Sequence, residues 1–241
     1  MNPRYSLIVP AYNEERLLGR LLASVAIARQ NYARPDAIEV IVADNGSTDR
    51  TAQIASAHGC RVVPVAKRVI GAVRNGGARA ARGEILAFID ADSQVHPATF
   101  TEIERTLATG RFIGGATGVT MDRWSLGIGA TYGLLMAVVL LAGLDTGVVF
   151  CRREDFETIG GYDEDRLIAE DVKFLYALRQ LGKRRGQRFA RATRAKAVTS
   201  TRKFDEFGDW HYFPLGLKGL WAMLRRREAQ FADNYWYKPS R

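Results

Sequence analysis

Short apolar runs rich in valine and isoleucine alternate along the chain with longer segments whose apolar residues recur every three or four positions. The first pattern predicts buried strands and the second predicts amphipathic helices. The predicted strands are residues 6–9, 38–43, 61–65, 85–89 and 146–150. The predicted helices are residues 15–28, 49–58, 72–82, 97–109 and 171–181. Pro64 cannot donate a ladder hydrogen bond, so the third strand is expected at a sheet edge.

Strand–helix alternation over the first 110 residues is typical of βαβ units, which form parallel sheets with helices on both faces. No internal repeat and no linker-like change in composition divides the chain. We therefore expect an α/β fold made of one domain, residues 1–241, with a mainly parallel, Rossmann-like, doubly wound central sheet flanked by helices.

Polar, turn-forming residues follow three of the predicted strands. They are residues 10–14, 44–47 and 90–92, and each group contains at least one carboxylate. Ligands of parallel α/β sheets bind beyond the carboxyl ends of the strands. The three groups are therefore expected to meet at one crevice.

Asp90 and Asp92 form the most specific of these groups. Two carboxylates one residue apart at a strand end can hold a hard divalent cation such as Mg²⁺ or Mn²⁺, whose remaining ligands would be phosphate oxygens and water. A strand-end turn with helix-capping acids would give the same pattern. Residues 44–49 likewise predict either a ligand-binding loop or a tight turn, with Ser47 or Thr48 capping the next helix.

Five segments of the chain together span most of residues 5–180. They are VPAYNEE (9–15), DNGSTDRT (44–51), GAVRNGGARAARGEILAFIDAD (71–92), GGYDED (160–165) and AEDVKF (169–174). In their order and spacing they resemble the signature of the family 2 glycosyltransferases, whose nucleotide-binding fold is called GT-A. The resemblance implies a nucleotide-sugar-binding half at residues 1–110, an acceptor-binding and catalytic half at 111–204 and a C-terminal helical segment at 205–241.

The resemblance implies that the crevice binds a nucleotide-sugar donor together with Mg²⁺ or Mn²⁺. Asp44 would hydrogen-bond the base, and Arg74 would point toward the base or the phosphates, which need positive charge. Asp90 would face the ribose and the metal, and Asp92 would hold the metal. The full set implied for the donor is Pro10, Ala11, Tyr12, Glu14, Asp44, Arg74, Asn75, Asp90 and Ala91.

Glu170 and Asp171 are the acids to which the resemblance assigns the catalytic step. Asp171 would be the base that takes the proton of the acceptor hydroxyl, and Glu170 would help to orient the acceptor. Tyr162 and Asp163 would shape the acceptor site. Acids at the start of the helix predicted at 171–181 would also stabilise its N-terminus, a role that is compatible with catalysis.

Three residues downstream of the predicted base offer further contacts to the donor. Some related enzymes place a histidine there as a metal ligand, and His211 is the candidate in this chain. Arg202 and Lys203 would then clamp the diphosphate from a loop that closes over the donor. A histidine with aromatic neighbours is equally expected as a packed residue of an amphipathic helix.

Charge is distributed unevenly along the chain. The 241 residues carry 35 basic and 26 acidic side chains, a net charge of +9, and eleven basic but no acidic residues lie between 172 and 204. Such a segment suits an anionic membrane surface or a phosphate-bearing acceptor, and the alternative is a plain solvated face. No RNA-recognition motif or zinc finger accompanies it, so nucleic acid is not expected as a partner.

Residues 126–144 are uncharged, and their number, 19, is near the length of a membrane span. They lie between Asp92 and Asp171, so a single crossing would separate the metal site from the base. We expect a buried helix that covers the sheet or, alternatively, an apolar surface that rests on the membrane or meets a lipid-linked acceptor. Two distant cysteines and the absence of a signal peptide favour a cytoplasmic protein, with peripheral contact at the inner face of the membrane.

These features predict a metal-dependent enzyme that moves a sugar from a nucleotide-sugar to an acceptor hydroxyl. Family frequency favours a UDP-sugar as the donor, and the resemblance implies inversion at the anomeric carbon. The expected acceptor is a sugar or a lipid-linked molecule, for example a lipid-linked or cell-envelope glycan. A sugar-phosphate nucleotidyltransferase is the first alternative, but it would need a glycine- and arginine-rich loop where the chain has residues 9–15. A catalytically silent nucleotide-binding or membrane-associated module is the second, and the joint presence of Asp90, Asp92 and Asp171 argues against it.

Overall fold

A computed structural model describes residues 3–142, 145–166 and 170–210 of the chain, and they form a seven-stranded and a three-stranded sheet with flanking helices. The strands are β1 (Tyr5–Ala11), β2 (Ile38–Asp44), β3 (Arg61–Pro64), β4 (Ile85–Phe88), β5 (Ser93–Gln94), β6 (Phe112–Ala116), β7 (Val119–Met121), β8 (Val149–Arg152), β9 (Arg188–Arg191) and β10 (Ala197–Thr199). The α-helices are α1 (Leu18–Gln30), α2 (Thr51–Ala57), α3 (Ile70–Ala80), α4 (Thr99–Ala108), α5 (Leu126–Ala142), α6 (Arg153–Thr158), α7 (Glu170–Arg184) and α8 (Arg202–Phe207).

The central sheet has the strand order β3-β2-β1-β4-β8-β6-β9, and β5, β10 and β7 form the smaller sheet. β1 pairs in parallel with β2 and β4, β2 with β3, and β6 with β9. β8 runs antiparallel to both of its neighbours, β4 and β6. The predicted α/β class with a mainly parallel central sheet is confirmed, and Pro64 lies on an edge strand as expected. The strand predicted at 146–150 begins only at Val149.

Alternate residues of β1 are buried on opposite faces of the central sheet. Leu7 and Val9 pack into a core shared with α1 and α4, whereas Ile8 packs into a second core shared with α3, α6 and α7. Burial on both faces explains why β1 is a continuous apolar run rather than an alternating one. Because helices cover both faces, the carboxyl ends of the strands are left to form the crevice.

Five short strands, β5, β6, β7, β9 and β10, have no counterpart among the predicted strands. In β6 the residues Gly114 and Gly115 weaken the strand signal. A Cβ at Gly114 would lie 2.5 Å from the carbonyl oxygen of Phe150 in β8, and one at Gly115 would lie 2.7 Å from that of Ala190 in β9. The glycines therefore allow these strands to pack closely, and the same property hides the strand from pattern analysis.

Residues 126–142 of the uncharged segment form α5, and this helix has both buried and exposed side chains. Gly127 and Ile128 are buried, whereas Leu126 is 89% exposed and Leu134 is 60% exposed. The expectation of a buried helix is therefore wrong for the face that carries Leu126 and Leu134. No helix in the described ranges combines the length and the apolar character needed to cross a membrane.

Candidate active site

The loops that follow β1, β2 and β4 lie side by side at one edge of the central sheet. Ala11, the last residue of β1, is in parallel register with Asp44, the last residue of β2, and β4 pairs in parallel with the other side of β1. This register brings residues 10–14, 44–47 and 90–92 to the same edge, as the strand pattern predicts.

The first two loops are held together through Asn13. Its NH donates to Ser47 Oγ over 3.0 Å, and its Oδ1 accepts from the NH of Thr48 over 2.8 Å. Asn13 has a φ of 53°, a region that asparagine tolerates better than most residues. The NH of Ser47 also donates to Asp44 Oδ2 over 3.3 Å. The predicted capping of α2 by Ser47 or Thr48 is wrong, because these residues hold the neighbouring loop and no side chain caps α2 at its N-cap residue.

Asp49 and Thr51 fix the backbone of the two glutamates that follow Asn13. The NH of Glu15 donates to Asp49 Oδ2 over 3.0 Å, and the NH of Glu14 donates to Thr51 Oγ1 over 2.8 Å. Asp49 Oδ1 accepts from the NH of Thr51 over 2.9 Å, so its charge lies at the start of α2, where the helix dipole favours it. The backbone of Glu14 is therefore held in place beside the crevice.

Glu14 and Asp92 are linked by Arg202 of α8. Arg202 makes a bidentate ion pair with Glu14, over 3.0 and 3.1 Å, and lies 4.0 Å from Asp92 Oδ2. Burial, together with repulsion from Asp90 and Glu14, raises the pKa of Asp92 to about 6. Burial lowers the pKa of the Lys203 ammonium to about 8. The two basic residues predicted to contact the diphosphate thus lie close to the carboxylates predicted to hold the metal.

The oxygen ligands at the end of β4 fit a divalent cation that takes few protein ligands. Asp90 and Asp92 supply carboxylates, and the repulsion that contributes to the raised pKa of Asp92 is one that a cation would relieve. Among the residues that the structure describes, no group of three or more His, Cys, Asp or Glu side chains could hold a metal ion. Mg²⁺ typically takes one or two protein carboxylates and completes its shell with phosphate oxygens and water. His211, the predicted further ligand, lies outside the described residues.

The other residues predicted to line the donor site differ in accessibility. Pro10, Ala11 and Ala91 are buried and can only shape the wall of the crevice. Tyr12 is half-buried, and the guanidinium of Arg68 lies 4.9 Å from the centre of its ring. Sequence reasoning missed Arg68 because it lies outside every matched motif, and its position just before the first turn of α3 was the only available signal.

Arg74 of α3 connects the acids predicted to bind the donor and its metal with the acids predicted to act on the acceptor. Its Nη2 lies 2.9 Å from Asp90 Oδ1, and its Nη1 lies 2.7 Å from Glu170 Oε1. The side chain is only 12% exposed, and its guanidinium lies 5.2 Å from the centre of the Tyr162 ring. Burial opposes the charge of Arg74, but the surrounding acids, led by Asp90, outweigh it and raise its pKa further.

Asn75, the residue after Arg74, does not face the crevice. Its Oδ1 accepts from the NH of Tyr162 over 2.9 Å, and its Nδ2 donates to the Tyr162 carbonyl over 2.8 Å and to Glu164 Oε1 over 2.9 Å. Gly161 has a φ of +70° and leaves no room for a Cβ, which would lie 2.7 Å from Asn75 Oδ1. The amide of Asn75 therefore holds the loop of residues 161–164 in this arrangement, and its place near the nucleotide stays a prediction.

Tyr162 is buried rather than lining an open acceptor site. Its ring is stacked on that of Phe174 in α7, with centroids 4.1 Å apart and planes 14° apart. The side chain of Tyr162 forms part of the second core, and its role in shaping the acceptor site stays a prediction. Asp163 is more accessible, and its Oδ2 lies 2.5 Å from Lys173 Nζ on the exposed side of α7.

Glu170 and Asp171 form the first turn of α7 and differ in exposure. Glu170 is buried against Arg74, and burial raises the pKa of its carboxyl group although Arg74 opposes that change. Asp171 is half-buried, and its Oδ1 accepts from the NH of Val172 over 2.8 Å. Of the two predicted catalytic acids, Asp171 is therefore the more accessible to an acceptor.

Comparisons with known sequences cover mainly the N-terminal half of the chain. The family model described as Glycosyl transferase family 2 matches residues 6–128. The validoxylamine A glucosyltransferase of Streptomyces hygroscopicus subsp. limoneus is 39% identical over 94 residues, and the match covers 36% of this chain and 20% of that protein. The chain thus corresponds to a minor part of this relative's length.

Solved structures extend the likeness to the second half. The mannosyltransferase PcManGT from Pyrobaculum calidifontis, in complex with GDP-Man and Mn²⁺, has a TM-score of 0.61 at 23% identity, covering 83% of this chain and 57% of that one. Glucosyl-3-phosphoglycerate synthase from Mycobacterium tuberculosis, in complex with Mn²⁺, UDP and glucosyl-3-phosphoglycerate, has a TM-score of 0.57 at 23% identity, covering 95% and 80%. These values show a shared fold.

Proposed function

The chain belongs to glycosyl transferase family 2 and has the GT-A fold, and from this premise we propose that it transfers a sugar from a nucleoside diphosphate sugar to an acceptor hydroxyl. One observation carries the proposal. The side chain of Arg74 contacts both Asp90 and Glu170. The carboxylates suited to the donor and its metal, Asp90 and Asp92, are therefore separated from the acids suited to the acceptor, Glu170 and Asp171, by no more than the reach of one arginine. A transferase needs this proximity because its two substrates must react within one site.

The donor is proposed to bind at the ends of β1, β2 and β4, with its diphosphate near Asp92. A divalent cation held by Asp90 and Asp92, Mg²⁺ or Mn²⁺, would neutralise the charge that grows on the departing nucleoside diphosphate. Arg202 and Lys203 of α8 are placed to add positive charge beside these carboxylates. The ion pair of Arg202 with Glu14 would hold the guanidinium there before the donor binds.

Asp171 is proposed to take the proton of the acceptor hydroxyl as its oxygen attacks the anomeric carbon. A hydroxyl is a weak nucleophile, and a carboxylate within hydrogen-bond distance raises its reactivity by removing that proton in the transition state. A single displacement of this kind inverts the configuration at the anomeric carbon. Glu170 is proposed to orient the turn that carries Asp171, because its carboxylate is already engaged by Arg74.

The nucleotide base is not determined by the fold, since PcManGT is in complex with GDP-Man and the phosphoglycerate-linked synthase with UDP. UDP-sugars are proposed as the first donors to test. The proposed location is cytoplasmic, and the free thiols of Cys60 and Cys151 agree with a reducing compartment.

A lipid-linked or cell-envelope glycan is proposed as the acceptor, presented at an anionic membrane surface. Among the side chains of α5 that the structure describes, the exposed ones recur on one helical face and are apolar, and Trp124 lies exposed just before this helix. Tryptophan beside an apolar face is typical of contact with a lipid interface. The exposed residues of this face are Leu126, Ala130, Gly133, Leu134 and Ala137.

Thermal unfolding with UDP and with GDP, each with and without Mn²⁺, tests the donor site, because a ligand that binds the folded state raises the unfolding temperature. We expect a rise with one nucleotide that needs Mn²⁺ and disappears in Asp92→Asn. Asp36→Asn, an exposed acid at the opposite end of β2, is the matched control. Release of free sugar from the matching nucleotide-sugar then tests the chemistry. No shift with either nucleotide and no turnover would contradict the proposal.

A further inference from the structure

We infer that Arg74 is a positioning residue that fixes the first turn of α7 relative to the end of β4, and not a ligand of the nucleotide. The inference rests on the proposed function, because that function assigns Asp90 to the donor side and Asp171 to the acceptor. It differs from the sequence expectation, which directs Arg74 toward the base or the phosphates.

Both terminal nitrogens of Arg74 are already used within the protein. Nη2 is 2.9 Å from Asp90 Oδ1 and Nη1 is 2.7 Å from Glu170 Oε1, so the planar guanidinium spans two carboxylates from different elements. The side chain is nearly buried. A phosphate that approached this guanidinium would have to compete with two carboxylates that already contact its terminal nitrogens, and Glu170 is itself buried.

The packing below Arg74 extends the same connection into the core. The ring of Tyr162 lies under the guanidinium and is stacked on Phe174, one turn further along α7 than Glu170. Asn75 holds the backbone of Tyr162 on both sides through hydrogen bonds to its NH and carbonyl. The first turn of α7 is therefore held by a polar contact from Arg74 at its end and by an apolar contact from Tyr162 at its inner face.

Glu170 explains why this arrangement depends on Arg74. Its side chain is only 10% exposed, and a buried carboxylate is stable only with a partner charge or several hydrogen bonds. Removing Arg74 would leave Glu170 to move toward water, and Asp171, the adjacent residue, would move with it. A displacement of about 1 Å at a reacting group can cost about 10²-fold in rate.

The experiment compares Arg74→Gln and Arg74→Lys with the control Arg79→Gln. Arg79 lies on α3, the helix that carries Arg74, and pairs with Glu164 of the loop of residues 161–164 over 3.0 Å, but its side chain is mostly exposed. In Arg74→Gln we expect kcat for sugar transfer to fall about 10²-fold, while KM for the donor and the calorimetric Kd for UDP with Mn²⁺ change less than about threefold. Arg74→Lys, which keeps one charge, should recover part of kcat, and Arg79→Gln should leave all three values unchanged.

The inference is overturned if Arg74→Gln affects binding and not turnover. A large rise in Kd for UDP, with kcat retained at saturating donor, would make Arg74 a nucleotide ligand. A second measurement does not need activity. The unfolding temperatures of Arg74→Gln, Glu170→Gln and the double variant give their coupling, and the double variant should be more stable than Arg74→Gln because no buried charge is left unpaired.

These readings also separate the inference from the proposed function. A wild-type protein that turns over no nucleotide-sugar counts against the proposed function alone, and the coupling then still decides whether Arg74 holds Glu170. Additive effects of the two substitutions on the unfolding temperature would refute the positioning role even in an active enzyme. If Arg74→Gln does not fold, Arg74→Lys and the double variant provide the same comparison.

Discussion

The loops after β1 and β2 are held mainly by hydrogen bonds to each other, with one distant ion pair from Arg202 to Glu14. Around β8, β6 and α7 the chain is held by contacts between residues far apart in sequence. On the donor side, Asn13 bonds the loop that carries Ser47 and Thr48, and both loops belong to motifs visible in the sequence. On the acceptor side, Glu170 depends on Arg74, which lies 96 positions earlier.

The difference has a structural origin. Consecutive parallel βα units place the loops that follow their strands at the same edge of the sheet, so polar residues at these strand ends lie close together without any additional contacts. The antiparallel strand β8 and the helices α5 and α7 follow no such repeat. Their positions depend on close backbone packing and on a few buried charges, and these leave only single-residue signals in the sequence.

The largest expected effect is on the acceptor side. Asp171→Asn keeps the size of the side chain but removes the base, so kcat for transfer should fall by about 10²–10⁴-fold. The Kd for the nucleoside diphosphate with Mn²⁺, measured by calorimetry, should stay at the wild-type value. A variant that loses nucleotide affinity and keeps its turnover rate would place Asp171 on the donor side instead.

Asp92→Asn, in contrast to Asp171→Asn, should mainly lower the affinity for the nucleotide. Residues that only support a metal ligand typically contribute about 10–100-fold to metal affinity. Loss of the Asp92 carboxylate, a direct ligand, should therefore weaken the Mn²⁺-dependent part of nucleotide binding by at least as much. Calorimetry with and without chelator measures this part, and circular dichroism checks that the fold is kept. Equal nucleotide affinity of the variant and the wild type in the presence of Mn²⁺ would remove Asp92 from the metal site.

Gly114→Ala tests the close packing on the acceptor side. The added Cβ would lie 2.5 Å from the Phe150 carbonyl oxygen and 3.0 Å from Leu178 Cδ2, so the free energy of unfolding should fall by about 1–3 kcal/mol. Urea denaturation measures the change. Gly129→Ala is the matched control, because nothing lies within 4 Å of a Cβ there and alanine favours a helix. Equal effects of the two substitutions would show that β6 does not need its glycine.

Asn13→Ala should give the smallest effect, on the donor side. It removes the acceptor for the NH of Thr48 and places alanine at a φ of 53°, so the free energy of unfolding should fall by about 1–2 kcal/mol. Asn13→Gly loses the same hydrogen bond but accepts the backbone conformation. A larger loss in Asn13→Ala than in Asn13→Gly, by urea denaturation, would assign the difference to φ. Wild-type stability in both variants would contradict the described link between the loops.

The sequence predicted β1, β2 and β4 and the convergence of their loops because burial on both faces produces continuous apolar runs that end in polar turns. It missed β5, β6, β7, β9 and β10 because these strands are short or rich in glycine, which gives no alternating pattern. Among the candidate site residues, Asp90 and Asp92 were predicted as carboxylates at a strand end, and the resemblance assigned Glu170 and Asp171 to the catalytic step. The directions in which Asn75 and Tyr162 point were not predicted, because membership of a motif does not tell which way a side chain points.

The order of strands and helices in residues 1–110 and the sheet edge at which the polar loops meet follow from the sequence by itself, because hydrophobic periodicity and strand-end polarity are local properties. Only the tertiary structure decided that Arg74 spans Asp90 and Glu170, that Tyr162 is buried under it, and that Arg202 lies between Glu14 and Asp92. Whether a charged side chain binds a ligand or holds another residue depends on which opposite charge is nearest once the chain is folded. At these distances, and with water largely excluded, those partners are set by packing between elements that local sequence does not encode.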